Sequence, residues 1–299
     1  MFASLANRHA DEHDLGLCHD LMVLERLNRR RALGLLGIGA GALALGGCGG
    51  DDSGSTSSTG TATATPTPNA TPVPTATSTS AGVCTGFATE TNGPYPADGT
   101  NTSQGSTSNV LTLSSFQRLD IRSSVGTGAM APGVVTTVTL TVVDVNNACT
   151  PLAGYAVYLW HCDAVGDYSL YDRPNETWLR GVQVADANGQ VTFTTIFPGC
   201  YAGRYPHIHF EVFSSLANAT SGRYARLVSQ IAMPADACAA VYADAAVYGA
   251  SANRFAATSI AGDMIFADNS PAQKTAMTLV VSGSPTNGYT SSATVGLTT

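Results

Sequence analysis

The chain has 299 residues, enough for one large domain or two small ones. Only 12 % of its residues are charged against 44 % hydrophobic, which excludes a coiled coil and a long charged-helix protein. The net charge of −7 argues against nucleic acid as a partner, because binding phosphates requires basic patches.

In chain order, the first informative stretch is residues 29–48. Arg29, Arg30 and Arg31 precede an apolar, glycine-rich run of about 16 residues, shorter than the roughly 20 that a bilayer-spanning helix needs. This pattern predicts an export signal of the twin-arginine type over residues 1–48. The run ends Leu45-Gly46-Gly47-Cys48, which resembles a lipoprotein cleavage site with Cys48 as the lipid acceptor. An ordinary cleaved secretory signal is the alternative, and Met22 is a second candidate start. The expected location is the cell surface or periplasm, or outside the cell, with membrane contact only through a lipid at Cys48. The first 48 residues carry five acidic and five basic residues, so the exported part keeps the whole −7. Residues 49–82 are rich in Ser, Thr and Pro with almost nothing to bury, which predicts a disordered tether.

Residues 83–299 read as one β-rich domain. Val134–Val143, Tyr155–Trp160, Gln190–Ile196, Ile208–Phe213, Leu227–Met233 and Ala276–Val281 have strand patterns. Turn signals such as Asp186-Ala187-Asn188-Gly189 and Pro198-Gly199 separate them. Helical periodicity appears only around Ala235–Tyr242. The expected fold class is all-β, a β-sandwich. Cysteine pairs Cys149–Cys162 and Cys200–Cys238 are favoured, with Cys84 left over, although spacing alone does not fix connectivity.

Candidate chemistry concentrates in Phe197–Phe210. His207 and His209 are two apart, so on a strand both imidazoles face one side while Ile208 and Phe210 face the other. They are two of only three histidines in the exported part. A pair of ordinary strand histidines and half of a metal site both fit. Glu211 shares their parity, so a two-histidine, one-carboxylate site is one completion. Phenolate oxygens from nearby tyrosines, Tyr168, Tyr171, Tyr201 and Tyr205, are another. They suit a hard, strongly Lewis-acidic ion such as Fe(III). Neither a His-Glu-x-x-His nor a Gly-x-Ser-x-Gly motif occurs, which sets aside zinc proteases and hydrolases of those kinds.

Several segments together resemble the intradiol ring-cleavage dioxygenases, the catechol and protocatechuate dioxygenase group. They are Asn92-Gly-Pro-Tyr95, Pro151-Leu-Ala-Gly154, Leu159–Tyr168, Leu179-Arg-Gly-Val182, Asp186–Gly189, Thr194–Gly199 and Arg204–Phe210. The resemblance runs from about Thr91 to Leu297 and looks most like an exported branch of the family. It implies an intradiol, transthyretin-like sandwich holding non-haem Fe(III) through Tyr168, Tyr201, His207 and His209. By the same resemblance Arg204 stabilises charge on the substrate ring, Gln230 lines the pocket, and Tyr201 leaves the metal when substrate binds. The implied partners are a small aromatic diol and O2, giving cis,cis-muconate-type diacids, and a homodimer is compatible with the resemblance. Two departures stand out. Asn92 occupies a position where the family usually has an acid, and only six residues separate Tyr201 from His207. His161, Trp160 and Trp178 are expected to be structural. A non-catalytic transthyretin-like binding module and a zinc-dependent enzyme are the competing readings.

Overall fold

β-Branched and aromatic residues at alternate positions favour extended backbone with one face buried, and this chain uses them to build two sheets. The computed structural model describes residues 84–299. The expected export signal (1–48), the lipid acceptor Cys48 and the tether (49–82) lie outside the described residues. The strands are β1 (Asp98–Ser103), β2 (Ser106–Asn109), β3 (Val135–Asp144), β4 (Thr150–Pro151), β5 (Ala156–Trp160), β6 (Arg180–Val184), β7 (Gln190–Ile196), β8 (His207–Phe213), β9 (Leu227–Ala232), β10 (Val280–Ser284) and β11 (Gly288–Leu297). Four short helices follow β9 or precede β10: α1 (Ala235–Val241), α2 (Ala245–Tyr248), α3 (Ser251–Ala256) and α4 (Pro271–Ala276).

One sheet runs β10-β11-β3, with β7 and the short β4 sharing the far edge of β3. The other runs β6-β5-β8-β9, and β1 pairs with β2 alone. Only β11 and β3 are parallel among these pairs. The all-β sandwich expected from the strand pattern is the observed fold. Val138, Leu140 and Val142 of β3, Phe193 of β7, Leu159 of β5 and Phe210 of β8 join one buried cluster drawn from both sheets. Each such side chain contributes on the order of 1.5–3 kcal/mol by leaving water.

The alternate residues of the second sheet face a different cluster. Tyr158 and Trp160 of β5 and Phe213 of β8 pack there with Phe116, Tyr168 and Tyr201. Loops, rather than the first sheet, cover this face, and it carries the candidate chemistry. At the β6–β7 turn the Asp186 carboxylate accepts from the Asn188 and Gln190 amides at 2.8 and 2.9 Å. Gly189 there has φ +74°, and a Cβ on it would lie 2.5 Å from the Val142 carbonyl oxygen. Glycine is required on both counts.

Two expectations are corrected. The strand read over Ala276–Val281 begins only at Val280, because α4 occupies Pro271–Ala276. Ser270 and Gln273 cap that helix reciprocally, and proline stands at its first turn, a start signal that outweighs the following apolar run. The disulfide joins Cys84 to Cys149, and Cys162, Cys200 and Cys238 are buried thiols. The favoured pairs Cys149–Cys162 and Cys200–Cys238 do not form, and Cys84, expected to be left over, takes Cys149 because the start of the domain runs beside the turn after β3. Burial pushes the Cys200 thiol up to about 12, so it stays protonated and unreactive.

The bridge closes a span of 65 residues and ties the start of the domain to the connection between β3 and β4. On the chain-entropy scale such a loop is worth about 4 kcal/mol. Cys149→Ala should therefore lower the melting temperature of the oxidised protein by several degrees. Reductant should shift the wild type by a similar amount and leave the variant unmoved.

Candidate active site

β8 presents His207 and His209 on the loop-covered face of the second sheet. Both are about 3 % exposed. His207 Nδ1 contacts the Tyr205 carbonyl oxygen at 2.6 Å. A carbonyl only accepts, so Nδ1 carries the proton and Nε2 presents a lone pair. That Nε2 lies 3.0 Å from His209 Nε2, and His209 Nδ1 has no hydrogen-bond partner. Burial, reinforced by the Arg204 charge, lowers the His207 pKa to about 3. Burial and the neighbouring His207 lower that of His209 as well. Both imidazoles are neutral and available as ligands. His209 stacks on Trp160, with ring centroids 5.0 Å apart and planes within 8°.

Two loops bring tyrosines to the pair. Tyr168 lies 6.2 Å from His209 and 5.9 Å from Tyr201, ring centre to ring centre, and both tyrosines are buried. The Tyr168 loop is anchored by Arg180, which is fully buried. Its guanidinium donates to Ser169 Oγ and O, to the Pro96 carbonyl and to Tyr158 Oη. The Tyr201 loop is fixed by Gly199, whose amide donates to the Asp163 carbonyl at 3.0 Å. A Cβ on Gly199 would lie 2.4 Å from the Ala164 carbonyl, so only glycine lets the two tyrosine loops approach this closely. Burial raises the Tyr168 pKa well above its ordinary value. Tyr168 is a phenol unless a strong Lewis acid binds its oxygen.

Beside the histidines stands a buried polar network. Arg204 Nε and Nη2 donate to Asp263 at 3.0 and 3.1 Å, and Nη2 also donates to Gln230 Oε1 at 2.7 Å. Gln230 is the β9 partner of His209, and its Nε2 donates to the Thr91 carbonyl at 3.1 Å. Asp263 further accepts from the amides of Tyr205, Ile265 and Phe266. Burial alone would raise the Asp263 carboxyl pKa, but the Arg204 charge and these hydrogen bonds bring it below the usual range.

The dioxygenase family model matches residues 114–268, more than half of the chain. The chain belongs to the intradiol ring-cleavage dioxygenase family. It is an oxidoreductase of the dioxygenase class. The fold is similar to that of an intradiol ring-cleavage dioxygenase from Tetranychus urticae, with 23 % identity and TM-score 0.53. The match covers 72 % of this chain and 95 % of that one. A 3-chlorocatechol 1,2-dioxygenase from Rhodococcus opacus 1CP is 17 % identical, with TM-score 0.44 and coverage of 71 % and 72 %. No curated protein matches this chain.

The family implies a non-haem ferric ion, and the residues of this dioxygenase fit one. If His209 Nε2 donates to His207, its Nδ1 lone pair is left unpaired inside the protein. If Nδ1 carries the proton, two lone pairs face each other at 3.0 Å. In the second arrangement two acceptors meet with no donor, and a cation held by His207 and His209 would supply what both lone pairs lack. Among the described residues no three His, Cys, Asp or Glu side chains converge as a ligand set, and the ring in contact with His209 from the loop side is that of Tyr168. Glu211, the carboxylate of the two-histidine alternative, is buried against Asp98, and that neighbour together with burial raises its pKa.

The six residues that the family resemblance implies, Tyr168, Tyr201, Arg204, His207, His209 and Gln230, lie in this one region, whereas the Tyr171 hydroxyl is bonded to the Ala97 amide and to Asn101. His161 does not join the region. Its nitrogens are satisfied by the Cys162 carbonyl and Thr195 Oγ1, both at 2.7 Å. Asp263, Arg180 and Gly93 also contribute to the site, without a role assigned by the sequence motifs. Arg180 and Gly93 stood inside the quoted motifs without a role, and Asp263 had no local signal at all. Gly93 has φ +70°, and a Cβ on it would lie 3.0 Å from His209 Cε1. Gly93→Ala should press on the imidazole and strain the backbone. The expected result is about 10-fold weaker iron retention, by analogy with the loss of a ligand-orienting contact, read by dialysis against a chelator.

Proposed function

We propose that this dioxygenase holds Fe(III) through Tyr168, Tyr201, His207 and His209. Its reaction in this reading is O2-dependent cleavage of catechol-type aromatics between the two hydroxyl-bearing carbons, giving cis,cis-muconate-type diacids. The observation that carries the reading is the 3.0 Å approach of two neutral, buried imidazole nitrogens beside two buried tyrosines. The ferric ion would supply Lewis acidity toward the diol and make its ring reactive toward O2. The remaining tasks belong to the protein. Tyr201 sits on a loop, and in this reading its phenolate oxygen takes a proton from the arriving diol. Arg204 is aimed by Asp263 and Gln230 so that its positive charge is preorganised for negative charge developing on the ring. Trp160 and the tyrosine cluster exclude water around the histidines. The Cys84–Cys149 disulfide supports an exported, oxidising location.

A visible spectrum with iron analysis of the purified protein tests the reading. One iron per chain with a broad tyrosinate-to-iron band that shifts on adding catechol is expected. A protein that stays colourless after iron reconstitution overturns it, since zinc is d¹⁰ and has no such band.

A further inference from the structure

A groove of about 490 Å³ opens beside the loop that joins Tyr201 to Arg204. Ala202 and Gly203, between those two residues in the chain, line it. Arg254 of α3, Ser259 and Gly262 line it as well. Gly262 immediately precedes Asp263, the carboxylate that holds Arg204. The groove is thus built by the chain neighbours of two elements of the site. Its volume lies in the range of small-molecule sites, and its lining is otherwise Ala, Gly, Thr and Ser.

Arg254 is the charged group of this groove. Nη1 donates to the carbonyls of Val165 at 2.8 Å and Cys200 at 3.3 Å. Among the described residues Arg254 pairs with no carboxylate, and its side-chain hydrogen bonds all run through Nη1, leaving Nε and Nη2 for a ligand. The guanidinium is held in place by the two tyrosine loops while keeping an edge that matches a carboxylate in bidentate fashion. Arg204 cannot play this part, because Asp263 and Gln230 already occupy its Nε and Nη2.

We infer that this groove is an outer subsite for aromatic diols carrying a carboxylate on a short side chain, and that Arg254 selects them. The inference rests on the ring-cleavage reading and deepens it by naming the substrate class. A diol gripped at the histidine pair would extend its side chain past Gly203 toward Arg254. Catechol itself would leave the groove unused.

Anaerobic titration of the iron-loaded, full-length protein tests this, with the visible band as readout. The probes are 3-(3,4-dihydroxyphenyl)propanoate and 4-ethylcatechol, which share the ring but not the carboxylate. The wild type should bind the carboxylate about 10-fold more tightly, as expected for one charge-assisted pair. Arg254→Gln should bring that ratio close to one, and Arg254→Lys should retain part of it. Because the ratio is taken within each variant, any disturbance of the Tyr201 loop cancels. A wild-type ratio near one, or a ratio unchanged in Arg254→Gln, overturns the inference and leaves Arg254 as a clamp between loops. If neither diol moves the band, the ring-cleavage reading has failed separately. Calorimetry with 3-phenylpropanoate, which has the carboxylate and no diol, then reads the groove alone. Binding lost in Arg254→Gln supports the subsite, and absence of binding to wild type overturns it.

Discussion

His209→Ala is expected to yield a folded protein that neither holds iron nor turns over catechol. The substitution removes one of the two Nε2 atoms that approach to 3.0 Å, and with it the only arrangement in which the cation meets both imidazoles. The loss should exceed the ~10–100-fold change typical of removing a supporting hydrogen bond from a metal ligand. Iron per chain and the visible band are the primary readouts, with circular dichroism and the melting temperature as controls. His161→Ala provides the contrast. That imidazole bonds a backbone carbonyl and Thr195 inside the protein, so its loss should cost stability by about 1–3 kcal/mol. Iron content should stay at one per chain. If His161→Ala loses iron while His209→Ala keeps it, the proposed ligand set is wrong.

Asp263→Asn should separate charge placement from metal binding. The carboxylate is buried and bonded to Arg204 through two guanidinium nitrogens. Asparagine keeps its size but leaves Arg204 as an uncompensated buried cation, an arrangement that costs about 3–5 kcal/mol where a buried pair is broken. The expected outcome is a lower melting temperature and a kcat/KM reduced by about 10-fold or more. Iron stoichiometry and the resting visible band should be unchanged, because Asp263 is not among the proposed ligands. Arg204→Gln should lower kcat/KM by about 100- to 1,000-fold, the range seen when one preorganised charge-stabilising donor is lost. The double variant should be less impaired than the two single effects combined, because both changes act on one pair. Fully additive losses would show that Asp263 does not act through Arg204. The role assigned here is positioning, so the kcat/KM split must appear at constant iron content.

The strands that carry the core were legible as residue types. β3, β5, β7 and β8 each have β-branched or aromatic residues at alternate positions, and β9 is a short apolar run broken by Ser229 and Gln230, so each carries a local strand signal. β6 and β11 were missed because glycines and polar residues interrupt the alternation, and β11 is held by its parallel ladder to β3 rather than by its own pattern. The helices α2, α3 and α4 are four to six residues long, too short to show a helical period. α4 alone carried a readable signal, the Ser270 to Gln273 capping box.

The same division runs through the site. A spacing of two on a strand is enough to place His207 and His209 on one face, since the side-chain period of a strand is a local property. The assembly of Tyr168, Tyr201, Arg204 and Gln230 around them was inferred from motifs whose order matches a family. What no stretch of sequence contains is the partner of each group. Cys84 meets Cys149 across 65 residues. Asp263 meets Arg204 from a segment after α3 that has no motif, and Gly93 meets His209 from the other end of the domain. Periodicity and spacing report on neighbours along the chain, whereas a buried charge pair, a disulfide and a glycine packed on an imidazole are set by which loops the closed sandwich brings into contact.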